Sequence, residues 1–269
     1  MKNRILIPLS LCLFIICSCH KAPSPAGSVP QPAVPLVVGM DLSYPPFETI
    51  DATGNPSGVS VALAQALGES LHRPVKIENI PFTGLIPSLL TGKIDLIISS
   101  MTDTKEREKT IAFSDPYLTI GLAVLAGKKL KLAGINDLDR SGCIIAVRQG
   151  TTGQVWAQSH LKSAQILVLD KESSAVLEVI QGKAHGFLYD QMSVWKNHQE
   201  HPQETVALLE PLQRESWAIG LRPGDAVLRD QVNGFIKSYR ESGGFDRLGD
   251  TYLKEQKEAF AKAGIPFYF

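Results

Sequence analysis

A chain of 269 residues is enough for one large or two small domains, and 44% hydrophobic with 20% charged residues is ordinary globular composition. The 27 basic and 27 acidic residues cancel, and loss of residues 1–18 with Lys2 and Arg4 leaves 25 against 27, about −2, so no basic excess points to nucleic acid. Three of the four cysteines (Cys12, Cys17, Cys19) fall in the first twenty residues, leaving Cys143 as a small buried residue; there is no disulfide framework, no spaced metal cluster and no call for a cofactor.

The N-terminus pairs Lys2 and Arg4 with an apolar stretch, Ile5 to Ile16, which is the pattern of a signal peptide over 1–18 and too short for a spanning helix. Ile16-Cys17-Ser18-Cys19 resembles a lipobox and predicts a lipid on Cys19, which mass spectrometry of the mature N-terminus would detect or refute. The following residues to 35 are rich in Pro, Ala and Ser without apolar periodicity, so 19–35 reads as a tether.

Leu36 to Met40 is a short apolar strand. Asp41, Tyr44, Pro45, Pro46 and Phe47 then form a stiff loop, since each proline fixes its own φ and restricts the residue before it. A turn over Asp51 to Gly58 leads into a helix marked by Val59, Leu63, Ala66, Leu67 and Leu71. Val75 to Ile80 alternates as a strand. Phe82, Leu85, Ile86, Leu89 and Leu90 then share a helical face closed by Gly92.

Ile94 to Ser99 has the apolar character of a buried parallel strand, and the chain turns polar at Ser99, Ser100 and Thr102, with Met101 between them. Asp103 and Glu106 have capping-box spacing, which predicts a helix starting after Asp103 with Arg107 in about its second turn. Hydroxyls, free helix N–H groups and one guanidinium at a strand end make a receptor for a small carboxylate.

Thr119 to Ala126 is a strand carrying the chain into another lobe. Cys143 to Val147 is a buried strand, followed by Arg148, Gly150, Thr151 and Thr152. One of these threonines is expected to cap a helix near Gln154, a second anion-friendly turn, while Arg148 reads as solvated. His185 to Asp190 is a strand ending in an acid, and on pattern alone such an acid is an N-cap. Trp217 to Leu221 is a strand, and two amphipathic helices end the chain. The alternation argues for an α/β fold of two lobes, each a mostly parallel sheet with helices on both faces, crossed near 119–124 and 212–217. The expected division is 36–122 with 214–269 for the first lobe and 123–213 for the second.

The segment Phe82 to Tyr117, with VVGMDLSYPPFE upstream and IAVRQGTTG and HGFLYD downstream, resembles the periplasmic amino-acid-binding proteins of ABC transporters, in their polar and basic amino-acid class. The resemblance implies the two-lobe periplasmic-binding-protein fold of type II and a non-enzymatic, lipid-anchored periplasmic receptor. Its partners would be an L-amino acid, arginine foremost, and a membrane permease. It implies a ligand site of Asp41, Tyr44, Phe82, Ser99, Ser100, Met101, Thr102, Arg107, Thr151, Thr152 and Asp190. Arg107 would hold the α-carboxylate with Ser100, Thr102 and Thr152. Asp190 and Ser100 would take the α-ammonium, Tyr44 and Phe82 would sandwich the side chain, and Asp41 would meet its charge. Ser60 stands where the family has an acid, which removes one support of the pocket. Tyr189 stands where glutamine-specific members carry His, which argues against glutamine. A receptor for glutamine or another polar amino acid, a cyclohexadienyl dehydratase-like enzyme on the same fold and a sensory module are the alternatives.

Overall fold

The computed structural model describes residues 33–129 and 135–266. The leader, Cys19 and the tether up to residue 32 lie outside the described residues. In chain order the elements are β1 (Leu36–Met40), β2 (Thr49–Ile50), β3 (Pro56–Ser57), α1 (Val59–Ser70), β4 (Val75–Asn79), α2 (Phe82–Leu90), β5 (Leu96–Ile97) and α3 (Lys105–Glu108). There follow β6 (Ala112–Gly127), β7 (Ile144–Arg148), α4 (Thr152–His160), β8 (Gln165–Leu169), α5 (Glu172–Ile180), β9 (Gly186–Asp190) and α6 (Gln191–Glu200). The chain closes with β10 (Thr205–Leu221), α7 (Ala226–Glu241), α8 (Gly244–Tyr252) and α9 (Lys254–Lys262).

Eight strands form one sheet in the order β4-β1-β5-β10-β6-β9-β7-β8. Pairing is parallel at both ends, β4-β1-β5 and β9-β7-β8, and antiparallel where β5, β10, β6 and β9 meet. The long strands β6 and β10 pair from Ala112↔Leu221 to Gly127↔Thr205, so the stretches expected to carry the crossings, 119–124 and 212–217, fall within one ladder. Its register shifts between Leu208 and Gln213, the irregularity expected where a strand pair bends. Both strands are longer than the sequence suggests. The Ser114-Asp115-Pro116 stretch, ahead of the strand expected from Thr119, is already part of β6, with Pro116 opposite Ala218 next to a register shift, where a missing N–H is tolerated.

Alternation along each strand feeds a core on each face. In β1, Leu36, Val38 and Met40 point into the large core with α1, α7, α8 and α9, while Val37 joins the smaller one with Leu85 and Leu89 of α2. In the other half, Ala146 and Phe187 face α5 and α6, and Ile145, Val147 and Leu188 face α4. Helices therefore cover both faces of each half, as sequence periodicity requires.

The Pro45-Pro46 loop is fastened to the start of α1 by two backbone bonds, Val59 N–H to Pro46 O (3.1 Å) and Ser60 N–H to Phe47 O (2.8 Å). Gly58 makes this possible. Its φ is +112°, and a Cβ there would lie 2.4 Å from Phe47 O. The fastening brings Ser60 to the side chain of Glu48.

Candidate functional site

Strand ends and helix starts from both halves of the sheet surround one cavity. It is lined by Asp41, Tyr44, Phe82, Ser99, Ser100, Thr102, Arg107, Thr151, Thr152 and Asp190 among others. Ten of the eleven expected residues therefore meet in one place. Met101 does not: its side chain is 1% exposed and packs with Ile80, Leu85 and Ile111. A strand turned by one residue sends neighbouring side chains to opposite faces, and Met101 takes the core side. The cavity admits the centre of a water-sized sphere over about 40 Å³, on the order of three waters at ~10–15 Å³ each.

Arg107 is presented by α3, a single turn. Its cap is Thr104, not Asp103 as the capping-box spacing suggested: the Thr104 hydroxyl accepts from Arg107 N–H at 3.2 Å. The guanidinium donates from Nη1 to Thr102 O (2.7 Å) and from Nη2 to Gly150 O (3.0 Å), reaching across to the β7–α4 turn. Burial lowers its pKa, with the Glu215 charge opposing the shift. Two of five N–H groups are used, so others remain for an anion in the cavity.

Asp41 at the end of β1 accepts from Ser43 Oγ (2.6 Å) and from the Phe82 N–H (2.8 Å) at the first turn of α2. It also pairs with Arg148 Nη2. Arg148 is thus not solvated, as the sequence reading had it, but 3% exposed. It donates further to Tyr189 Oη (3.1 Å) and Asp170 O (3.3 Å). The guanidinium carbons of Arg107 and Arg148 each lie 5.5 Å from the Phe82 ring centroid, within cation–π range. Tyr44 stacks on Phe47 (5.3 Å, 10°) and meets Tyr189 and Trp217 edge-on. The subsite expected for a ligand cation, an acid beside an aromatic face, is filled by the protein's own guanidinium.

Four further acids stand on or near this space. Asp190 ends β9 and caps α6, accepting from Met192 N–H and Ser193 N–H, both at 3.0 Å. The N-cap and pocket readings of that residue therefore hold together. Burial raises its pKa to about 7, against the capping bonds. The Tyr44 hydroxyl faces this carboxylate but has no partner in hydrogen-bond geometry among the described residues. Glu48 accepts from Ser60 Oγ (2.6 Å), Ser100 Oγ (3.1 Å) and Ser99 Oγ (3.3 Å). Ser60, which replaces an acid expected there, serves an acid twelve positions earlier. Ser100 adopts φ +49°, a left-handed conformation rare for a side-chain-bearing residue and held here by its neighbours. Glu172, under α6, accepts from Ser193 Oγ and Asn197 Nδ2. Glu215 of β10 accepts from Thr102 Oγ1 (3.1 Å) and Thr152 Oγ1 (3.0 Å) on one oxygen and from Gln213 Nε2 (2.7 Å) on the other.

α4 starts at Thr152 with Thr151 as its cap, two residues earlier than expected. The Thr151 hydroxyl turns back to Arg148 O (2.7 Å) instead of bonding a helix N–H. Gly153 lets this end approach β9: a Cβ there would lie 2.6 Å from Leu188 O. Sequence reasoning missed Glu48, Glu215 and Trp217, read Arg148 as solvated, and read Tyr189 only as a departure from the glutamine-specific members. The available signal was charge at the edge of an apolar run, Arg148 ending Ile-Ile-Ala-Val and Glu215 two residues before Trp-Ala-Ile-Gly-Leu. A charge at such a position needs a built partner.

The buried acids make stability pH-dependent. Burial raises the Glu48 pKa from 4.5 to about 8. A raised carboxyl contributes fully below its unfolded pKa and loses that contribution as pH rises through its folded pKa. Stability is therefore expected to fall by about 3–5 kcal/mol between about pH 4.5 and 8, at 1.36 kcal/mol per unit, and the melting temperature to fall with it. Glu48→Gln should flatten that fall, and equal slopes in the two proteins would contradict the assignment.

The model of the bacterial extracellular solute-binding proteins, family 3, matches residues 36–255. ABC transporter arginine-binding protein 1 of Escherichia coli is 28% identical over 221 residues, 81% of this chain and 90% of that protein. The probable histidine-binding protein of Neisseria gonorrhoeae is 24% identical over 267 residues, 97% of this chain and 99% of that one. Among solved structures, a putative ABC-transporter binding component from Wolinella succinogenes, complexed with lysine, gives TM-score 0.77 at 30% identity over 81% of this chain and 95% of that chain. The ancestral amino acid-binding protein AncCDT-1, a precursor of cyclohexadienyl dehydratase, gives 0.74 at 32% over 81% and 94%. These neighbours share the type II periplasmic-binding-protein fold seen here, with a match running from β1 into α9. The chain belongs to the bacterial extracellular solute-binding proteins, family 3.

Proposed function

We propose that this chain is a periplasmic receptor, lipid-anchored at Cys19, that binds a polar L-amino acid between its lobes and hands it to an ABC permease. The observation that carries the reading is the meeting of Arg107 and Asp190 on one cavity, an anion-receiving and a cation-receiving group set for a zwitterion. The names of relatives, for arginine, histidine and cystine, support an amino-acid ligand. The lobes divide at 36–122 with 214–269 and at 123–213, and hinge bending within β6 and β10 admits the ligand to the cavity.

The far end of the cavity favours a side chain that both donates and accepts. Asp41 is neutralised by Arg148, so the pair presents an acceptor beside a donor. A carboxamide satisfies both, whereas a second guanidinium meets a resident cation. Tyr189, which by the family pattern argues against glutamine, here accepts from Arg148 Nη1 and holds that donor in place. Glutamine is the amino acid that fits this best. Arginine is the second reading, supported by the Asp41–Phe82 arrangement and by the arginine-binding relatives, and it requires Arg148 to leave Asp41.

Calorimetric titration with the twenty amino acids tests the reading. Glutamine is expected to bind at least ~10-fold more tightly than arginine, about 1.4 kcal/mol. Arginine preferred by that factor supports the second reading, and no binding by any amino acid contradicts both. Turnover of prephenate or arogenate would instead favour the dehydratase-like enzyme.

A further inference from the structure

Thr102 and Thr152 come from opposite sides of the cavity, one from the β5–α3 loop and one from the first residue of α4. Both hydroxyls point at the same atom, Glu215 Oε2, at 3.1 and 3.0 Å. Glu215 is 6% exposed, and its other oxygen is taken by Gln213. An ionised carboxylate has only lone pairs, so each hydroxyl spends its single proton on Glu215 and turns lone pairs to the remaining space. Neither hydroxyl then has a proton for a ligand carboxylate, the task the family resemblance gives them. The Ser100 hydroxyl donates to Glu48 Oε2 at 3.1 Å. Arg107 Nη1 donates to Thr102 O and Thr102 Oγ1 donates to Glu215 Oε2, so the guanidinium and the carboxylate flank one residue.

We propose that Glu215, through Thr102 and Thr152, is a specificity-determining residue that builds an acceptor surface for the ligand's α-ammonium beside the carboxylate site of Arg107. The surface rests on the amino-acid reading above and adds a second cation-receiving group to Asp190. An ammonium has three donors, and both capping bonds of Asp190 fall on Oδ1, so Oδ2 can take one of the three and further acceptors are needed for the rest. The neighbouring positions of Arg107 and Glu215 match the neighbouring carboxylate and ammonium of an α-amino acid. A plain carboxylate ligand lacks the group that Glu215 serves.

Titration of glutamine and of its desamino analogue, glutaramic acid, into wild type and Glu215→Gln tests this. Glutamine affinity is expected to fall ~10-fold or more in Glu215→Gln, because the amide offers N–H groups that reverse the threonine hydroxyls, while affinity for the analogue stays level or rises. An equal loss for both ligands, or none for either, overturns the proposal. If Glu215→Gln does not fold by circular dichroism, Thr152→Val carries the same comparison, with selective loss for glutamine expected and equal loss overturning it. Arginine and its desamino analogue replace the pair if arginine is the tighter ligand. Wild type that binds no amino acid removes the underlying reading, whereas wild type that binds with Glu215→Gln unchanged removes this proposal alone.

Discussion

Arg107→Ala is expected to lower amino-acid affinity about 100-fold or more, the loss of ~3–5 kcal/mol that follows removal of one partner from a desolvated ion pair. The ligand would keep Asp190 and the hydroxyls but lose the guanidinium that pairs its carboxylate. The same substitution cuts the links from Arg107 to Thr102 O and to Gly150 O, which join the two sides of the cavity. Arg107→Lys separates the two effects. A lysine carries the charge but lacks the planar fork, so an intermediate loss is expected. Calorimetry giving near-native affinity for Arg107→Ala would remove the carboxylate assignment.

Arg148→Ala should change which ligand is bound rather than whether one is. Asp41 would keep its bonds from Ser43 and Phe82 but lose its cation. The bare acid beside the Phe82 face then suits a ligand guanidinium. Glutamine affinity should fall ~10-fold and arginine affinity rise ~10-fold, inverting the preference by roughly 100-fold, about 2.7 kcal/mol. The buried pair explains the size: each partner left alone carries a desolvated, uncompensated charge, and the ligand that restores compensation gains most. Titration of both amino acids into both proteins reads this directly. An unchanged ratio would mean that Arg148 only braces the fold.

Much of this molecule was legible in its residues. Continuous apolar runs such as Leu36-Val37-Val38 and Cys143-Ile144-Ile145-Ala146-Val147 mark strands covered on both faces of one sheet. The polar switch after Ile98 marks a strand end at the site, as Ser99, Ser100 and Thr102 show. Partnership was not legible. Arg148 follows four apolar residues at a strand end, where an arginine is as readily solvated as buried, and only the approach of Asp41 from a strand 107 positions earlier decides it. Glu215 draws its partners from positions 113 and 63 residues away, so no local spacing announces it. Met101 was misread for the opposite reason: it lies in the right run but on the core face.

A crystal structure with L-glutamine tests the central claim most directly. The account predicts the α-carboxylate on the Arg107 guanidinium, the α-ammonium between Asp190 and Glu215, and the side-chain amide on Asp41 and Arg148. A ligand whose carboxylate lies away from Arg107, or an Arg107 turned out of the closed cavity into solvent, would contradict it.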